Sequence, residues 1–104
     1  MGYRIRYAAR AQRDLDAAFR WIANDAPRHA EKWQAGLLEA VERLRYFPLS
    51  GTIAPESSTF GVEVRRLLYG KGHGTHKIFY TVSGKTVIIL HLRHGSRREL
   101  RSNE

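Results

Sequence analysis

Apolar and basic side chains alternate at Tyr3-Arg4-Ile5-Arg6-Tyr7, and a period of two predicts a short strand with one face buried. From about Arg10 to Asn24 the period changes. Ala11, Leu15, Ala18, Phe19 and Ile22 fall on one helical stripe, while Arg13, Asp14, Arg20 and Asp25 lie off it. Pro27 stops this helix and suits the first turn of the next. Ala30, Trp33, Leu37, Val41 and Leu44 then repeat at three and four, which carries a second helix to about Tyr46. Glu39 and Arg43 stand four apart in the favoured order, a pair worth about 0.3 kcal/mol. Phe47-Pro48 ends the helix. Two amphipathic helices with so short a connection pack as an antiparallel hairpin.

Leu49 to Phe60, LSGTIAPESSTF, is rich in Ser, Gly, Pro and Thr and reads as a loop. It is long for a compact domain, so it is expected to cover something. Three strand-like runs follow: Val62–Tyr69, Thr75–Val82 and Thr86–His94. They are joined by a glycine-rich turn, Gly70 to Gly74, and a tight connection, Ser83-Gly84-Lys85. The last run is the most apolar, with Val87, Ile88, Ile89, Leu90 and Leu92, which predicts a central strand covered at least partly on both sides. After Gly95 a short charged segment is left as a last helical turn or a frayed end. The expected fold is a single α+β domain over residues 1–104: an N-terminal strand, an antiparallel two-helix hairpin, then a three-stranded antiparallel meander, with the helices packed on one face of the sheet.

Composition narrows the class. The chain has 104 residues, 42% of them hydrophobic, enough for one modest core and too many for a disordered chain. It has no cysteine, which removes disulfides, thiolate nucleophiles and Cys-based zinc sites. No apolar run approaches the ~20 residues that span a bilayer, and the N-terminal residues hold no stretch of signal-peptide length. No membrane contact and a cytoplasmic location are therefore expected. The formal net charge is +8. Residues 1–60 carry nine Lys or Arg against seven Asp or Glu, and residues 61–104 carry nine against three, so the excess lies in the C-terminal half. Such a field attracts polyanions or an acidic protein surface.

Candidate chemistry is sparse. His73 and His76 straddle a glycine turn. His91 and His94 are three apart on a strand and point to opposite faces, so neither pair in sequence suits one ion, and no metal or cofactor is expected. The serines lie in loop-like contexts with no nucleophile elbow. Gly70-Lys71-Gly72-His73-Gly74 joins two strands rather than a strand and a helix, so a helix dipole does not assist phosphate binding there. What remains is metal-free cleavage of RNA or no chemistry at all. Attack by a 2′-hydroxyl needs a base, an acid and cations for the phosphorane. His91, His94, Arg65, Arg66, Lys77, Arg93 and Arg97 are the residues that could supply them. The alternative is an exposed sheet face that is basic because it meets an acidic partner or solvent.

Four stretches in order, YRIRYAARAQRDLDAAFRWIA, EKWQAGLLEAVERLRYFPLSGTIAPE, VRRLLYGKGHGTHKIFYTV and VIILHLRHGSRREL, resemble the ParE/RelE superfamily of toxins from type II toxin–antitoxin modules, also called plasmid stabilisation proteins. The FPLSG turn and the strand ending in LRHGSRR are similar to the ParE-like branch. The resemblance implies a helical hairpin on a twisted antiparallel sheet and a growth-inhibiting protein neutralised by a cognate antitoxin. The flexible C-terminal segment of such an antitoxin wraps the toxin with apolar anchors and acidic residues. ParE-like members poison DNA gyrase without covalent chemistry of their own, whereas RelE-like members cleave mRNA on the ribosome. A third reading is a superfamily member that has lost toxicity and persists as a stable, partner-bound protein.

Carried over by position, the ribonuclease pattern falls on Arg65 or Arg66, Lys77 and Arg97, with His94 as a stand-in acid or base. Lys77 replaces an arginine and loses its planar fork, and Ser102-Asn103-Glu104 replaces a C-terminal aromatic. The resemblance therefore leads to target or antitoxin binding by Arg65, Arg66, Lys77, Arg93, His94, Arg97 and Arg98 rather than to catalysis.

Overall fold

The computed structural model describes residues 2–70 and 74–94. Strand β1 (Arg4–Tyr7) leads into helix α1 (Ala9–Asp25), and Pro27 opens helix α2 (Pro27–Glu42). A 3-10 turn (Arg43–Arg45) follows, then β2 (Thr52–Ile53), α3 (Ser57–Phe60), β3 (Arg65–Tyr69), β4 (His76–Ser83) and β5 (Thr86–His94). The meander β3-β4-β5 is antiparallel, as expected from the sequence. It lies inside a larger mixed sheet of order β1-β5-β4-β3-β2, in which β1 runs parallel to β5. Helices α1 and α2 pack on each other and on one face of this sheet.

That face holds the main core. Ala11, Leu15, Trp33, Leu37, Val41 and Leu44 from the helices meet Ile78, Tyr80, Val87, Ile89 and Leu92 from β4 and β5. A second, smaller core of Ala54, Val64 and Phe79, with Leu90 against it, involves the loop of residues 49–60 and the side chain of Phe79. Since Ile78 and Tyr80 point at the helices, Phe79 between them points away. The loop thus covers part of the sheet's far face, and β5 is apolar on both sides for this reason.

Three sequence-based boundaries shift. The second helix ends at Glu42 rather than Tyr46, because the Arg45 carbonyl accepts the Tyr3 N–H at 2.8 Å and so turns out of the helical ladder. The Arg45 guanidinium returns to the Tyr3 carbonyl at 3.1 Å. The first run of the meander begins at Arg65 rather than Val62. The backbone of Val64 is already held by the Ser57 hydroxyl, which accepts its N–H and donates to its carbonyl, both at 2.9 Å. The loop of residues 49–60 contains β2 and α3, which composition alone concealed.

At Phe79 and Tyr80 the partner register jumps from His91 to Ile89, so Leu90 is the extra residue of a β-bulge. Beyond Tyr7, β1 no longer borders β5. The Ala8 N–H takes the Ile89 carbonyl at 2.8 Å, and the Asp14 carboxylate takes the Leu92 N–H at 3.0 Å. Helix α1 therefore closes the edge that β1 leaves open. The hairpin between β4 and β5 turns on Gly84, whose φ of 59° is the left-handed value that the first position of a two-residue loop favours. The Lys85 ammonium lies 5.3 Å from the centre of the Tyr3 ring.

Candidate functional site: a basic sheet face

Alternation along each strand sorts the candidate residues by face. Leu67 and Tyr69 of β3 pack on the helix-side core, so Arg66 and Leu68 point away from it. Lys77 lies on the same far face as Phe79, and Arg93 lies there because Leu92 packs on the main core. In register, Lys77 is the Cα partner of both Leu68 and Arg93, and Arg66 is the partner of Phe79. Neighbouring strands are about 4.8 Å apart, so these cations form one patch. Leu68, 60% exposed, is an apolar spot within it.

Two further cations join from β1. Tyr3, Ile5 and Tyr7 pack on the helix-side core, which turns Arg4 and Arg6 to the far face, beside Thr86 and Ile88. The alternation in the sequence already set them on the polar side of a strand. What it lacked was any sign that this strand pairs in parallel with β5 and so adds to the same face. Arg4, Arg6, Arg66 and Lys77 have no ion-pair partner among the described residues.

The other candidates are elsewhere. Arg65 points to the helix side of β3. Its Nη1 donates to the carbonyls of Leu49 (3.2 Å) and Gly51 (2.8 Å), and its Nε pairs with Glu63 at 3.0 Å. Its side chain is thus engaged in holding the turn that carries the FPLSG stretch. His94 lies across from His76, on the side where His76 meets Trp33 of α2. Arg97 and Arg98 lie outside the described residues, as do His73 and most of the Gly70–Gly74 turn.

His91 is on the basic face but is 1% exposed. Its ring stacks on Phe79, with centroids 4.4 Å apart and an angle of 11°. Burial, reinforced by the positive charges of Arg10 and Arg93, pushes its pKa down to about 4. It is therefore a neutral, sequestered imidazole at neutral pH. As expected, His91 and His94 serve opposite faces. Among the described residues no three His, Cys, Asp or Glu gather as a metal centre. Glu56 is buried beside Ala54, and neither of its carboxylate oxygens finds a hydrogen-bond donor among the described residues. No helix among the described residues is long and apolar enough to cross a membrane.

Among the described residues this face offers cations and an apolar foothold, and its histidine, His91, is withheld from solvent. Such a face can bind an acidic, partly apolar surface. Comparison with known proteins agrees with the architecture. A solved structure described as a chromosomal ParDE TA system from P. aeruginosa superposes with a TM-score of 0.69 at 22% identity, covering 88% of this chain and 95% of the other. No curated protein matches the chain significantly. The family profile for the ParE toxin of type II toxin-antitoxin system, parDE, matches residues 5–99, so the chain belongs to the ParE toxin family.

Proposed function

We propose that this ParE-family protein stops growth by poisoning DNA gyrase in the cytoplasm, and that a cognate antitoxin neutralises it by covering the basic sheet face. The observation that carries the reading is the composition of that face. Arg66 and Lys77 flank the exposed Leu68 with Arg93 next to Lys77, Arg4 and Arg6 carry positive charge along β1 on the same face, and the histidine described on that face, His91, is buried and neutral. An antitoxin segment with acidic residues and apolar anchors fits this pattern, since opposite charge speeds encounter and a central apolar contact holds the complex. Arg97 and Arg98 extend the basic stretch in sequence and belong to the same proposed surface. Arg65 and His94 are expected to support the surface from behind, through the FPLSG turn and the end of β5.

The competing activity is ribosome-dependent cleavage of mRNA. It needs an accessible acid and base near the scissile phosphate. His91 is buried and His94 is on the other side, so the described residues of this face favour binding. A gyrase supercoiling assay with the purified protein, with antitoxin added back, decides between them. The expected result is inhibition with accumulation of cleaved DNA, reversed by antitoxin. No effect on gyrase at a dose that stops growth, together with cut mRNA, would overturn the gyrase reading.

A further inference from the structure

Sequence spacing pairs the histidines wrongly; the sheet pairs them differently. His76 and His94 are Cα partners across β4 and β5, on the same face, with ring centroids 5.1 Å apart. Two imidazoles that share one tetrahedral ion at Zn–N distances of ~2.0–2.1 Å have centroids about 5 Å apart. The separation thus already suits chelation. His76 is also prepared as a ligand. Its Nδ1 faces the Gly74 carbonyl at 3.2 Å, which can only accept, so Nδ1 carries the proton and Nε2 keeps its lone pair. A backbone carbonyl in this role is the usual outer partner of a metal-bound histidine. Trp33 backs the ring from α2, with centroids 5.1 Å apart, and burial favours the neutral, ligating form of His76.

We infer that His76 and His94 form a two-histidine site for a borderline divalent cation of the zinc and nickel class, clipping β4 to β5 beside α2. Imidazole nitrogen without thiolate selects these ions over calcium or magnesium. Water or an acidic partner residue would fill the remaining positions. The inference is independent of the gyrase reading.

The test is a zinc titration of tag-free, full-length protein, followed by calorimetry and by the ring-nitrogen NMR signals of 15N-labelled histidine. Saturable binding of a single equivalent is expected, with shifts at His76 and His94. His94→Gln is expected to weaken zinc roughly tenfold or more, and His29→Gln, on the exposed part of α2, to leave it unchanged. His76→Gln carries the same expectation, but His76 packs on Trp33, so the half-buried His94 is the decisive position. No saturable shift at millimolar zinc, or equal affinity in His94→Gln and the parent, would overturn the site.

Discussion

The hydroxyl of Tyr80, a fully buried β4 residue, accepts the Gly51 N–H at 2.9 Å and donates to the Pro48 carbonyl at 2.8 Å. One phenol therefore closes both sides of the turn that carries Phe47, Leu49 and Ile53 to the surface. Residue 51 must be small for this to happen, because a Cβ there would lie 2.7 Å from both the Tyr80 hydroxyl and the Arg66 carbonyl. Tyr80→Phe keeps the ring and strands two backbone groups, so a loss of about 1–3 kcal/mol is expected. Gly51→Ala is expected to cost a similar amount through overlap. Urea unfolding of the two variants measures this, and parent-like midpoints would show that the turn is held by something else.

A second tyrosine ties α2 to the sheet. The Tyr69 hydroxyl donates to the Trp33 carbonyl at 3.0 Å, and it reaches that carbonyl because Gly36 leaves the helix surface bare. A Cβ at Gly36 would overlap the hydroxyl oxygen. In a helix interior, Gly→Ala ordinarily stabilises by about 1 kcal/mol. Here the overlap is expected to win, and Gly36→Ala should destabilise. In a Tyr69→Phe background the same change should cost less or become favourable, since the atom in the way is gone. A double-mutant cycle on thermal or urea unfolding gives the coupling directly. Additive effects would contradict the packing account.

The helices and the meander were legible because their signals are local. Leu15, Trp33, Leu37, Val41 and Ile89 show the helical and strand periods within a few residues of each other, and all are buried where those periods place them. The parallel pairing of β1 with β5 was not legible, because it joins residues about eighty apart through hydrogen bonds that leave no mark on composition. The same is true of Asp14, which lies on the polar side of α1 yet caps a β5 amide. For the site, a charge count found Arg66, Lys77 and Arg93 but could not separate them from Arg65, whose guanidinium is engaged in the turn. Only strand parity with a known core face makes that distinction. The bulge at Leu90 further shifts parity along β5 after Ile89, so any prediction that alternates strictly through residues 86–94 misplaces one end.

His91 makes stability depend on pH. Its folded pKa of about 4 lies below the ordinary 6.5, so the native state disfavours the proton that the unfolded chain accepts. The stability that this neutral form contributes is complete above about pH 6.5 and is lost as the pH falls from there towards 4, amounting to about 2 kcal/mol by pH 5. The groups that set it are Phe79, stacked on the ring, and the cations Arg10 and Arg93. His91→Phe retains a ring for Phe79 and cannot take a proton. Unfolding free energies of the two proteins measured from pH 7.5 to 5 are expected to diverge in slope, with the variant flatter. Parallel curves would mean that His91 is protonated equally in both states.

The basic face predicts a contrast between two variants that remove the same charge. Arg66→Ala combined with Lys77→Ala takes two cations from the sheet face, whereas Arg28→Ala combined with Lys32→Ala takes two from exposed positions on α2. Neither pair has an ion-pair partner among the described residues, so both variants should keep parent stability to within about 0.5 kcal/mol. If the antitoxin lies on the sheet face, the first variant loses about 1–3 kcal/mol of antitoxin affinity, and much of the loss appears in the association rate. That loss should shrink as salt is raised, because a Debye length of about 10 Å at 0.1 M falls to about 3 Å at 1 M. The second variant is expected to bind nearly as the parent does at every salt concentration. Association and dissociation rates from surface-captured antitoxin give the comparison. Equal losses in both variants would assign the attraction to net charge alone, and a loss confined to the α2 variant would move the antitoxin to the helical layer.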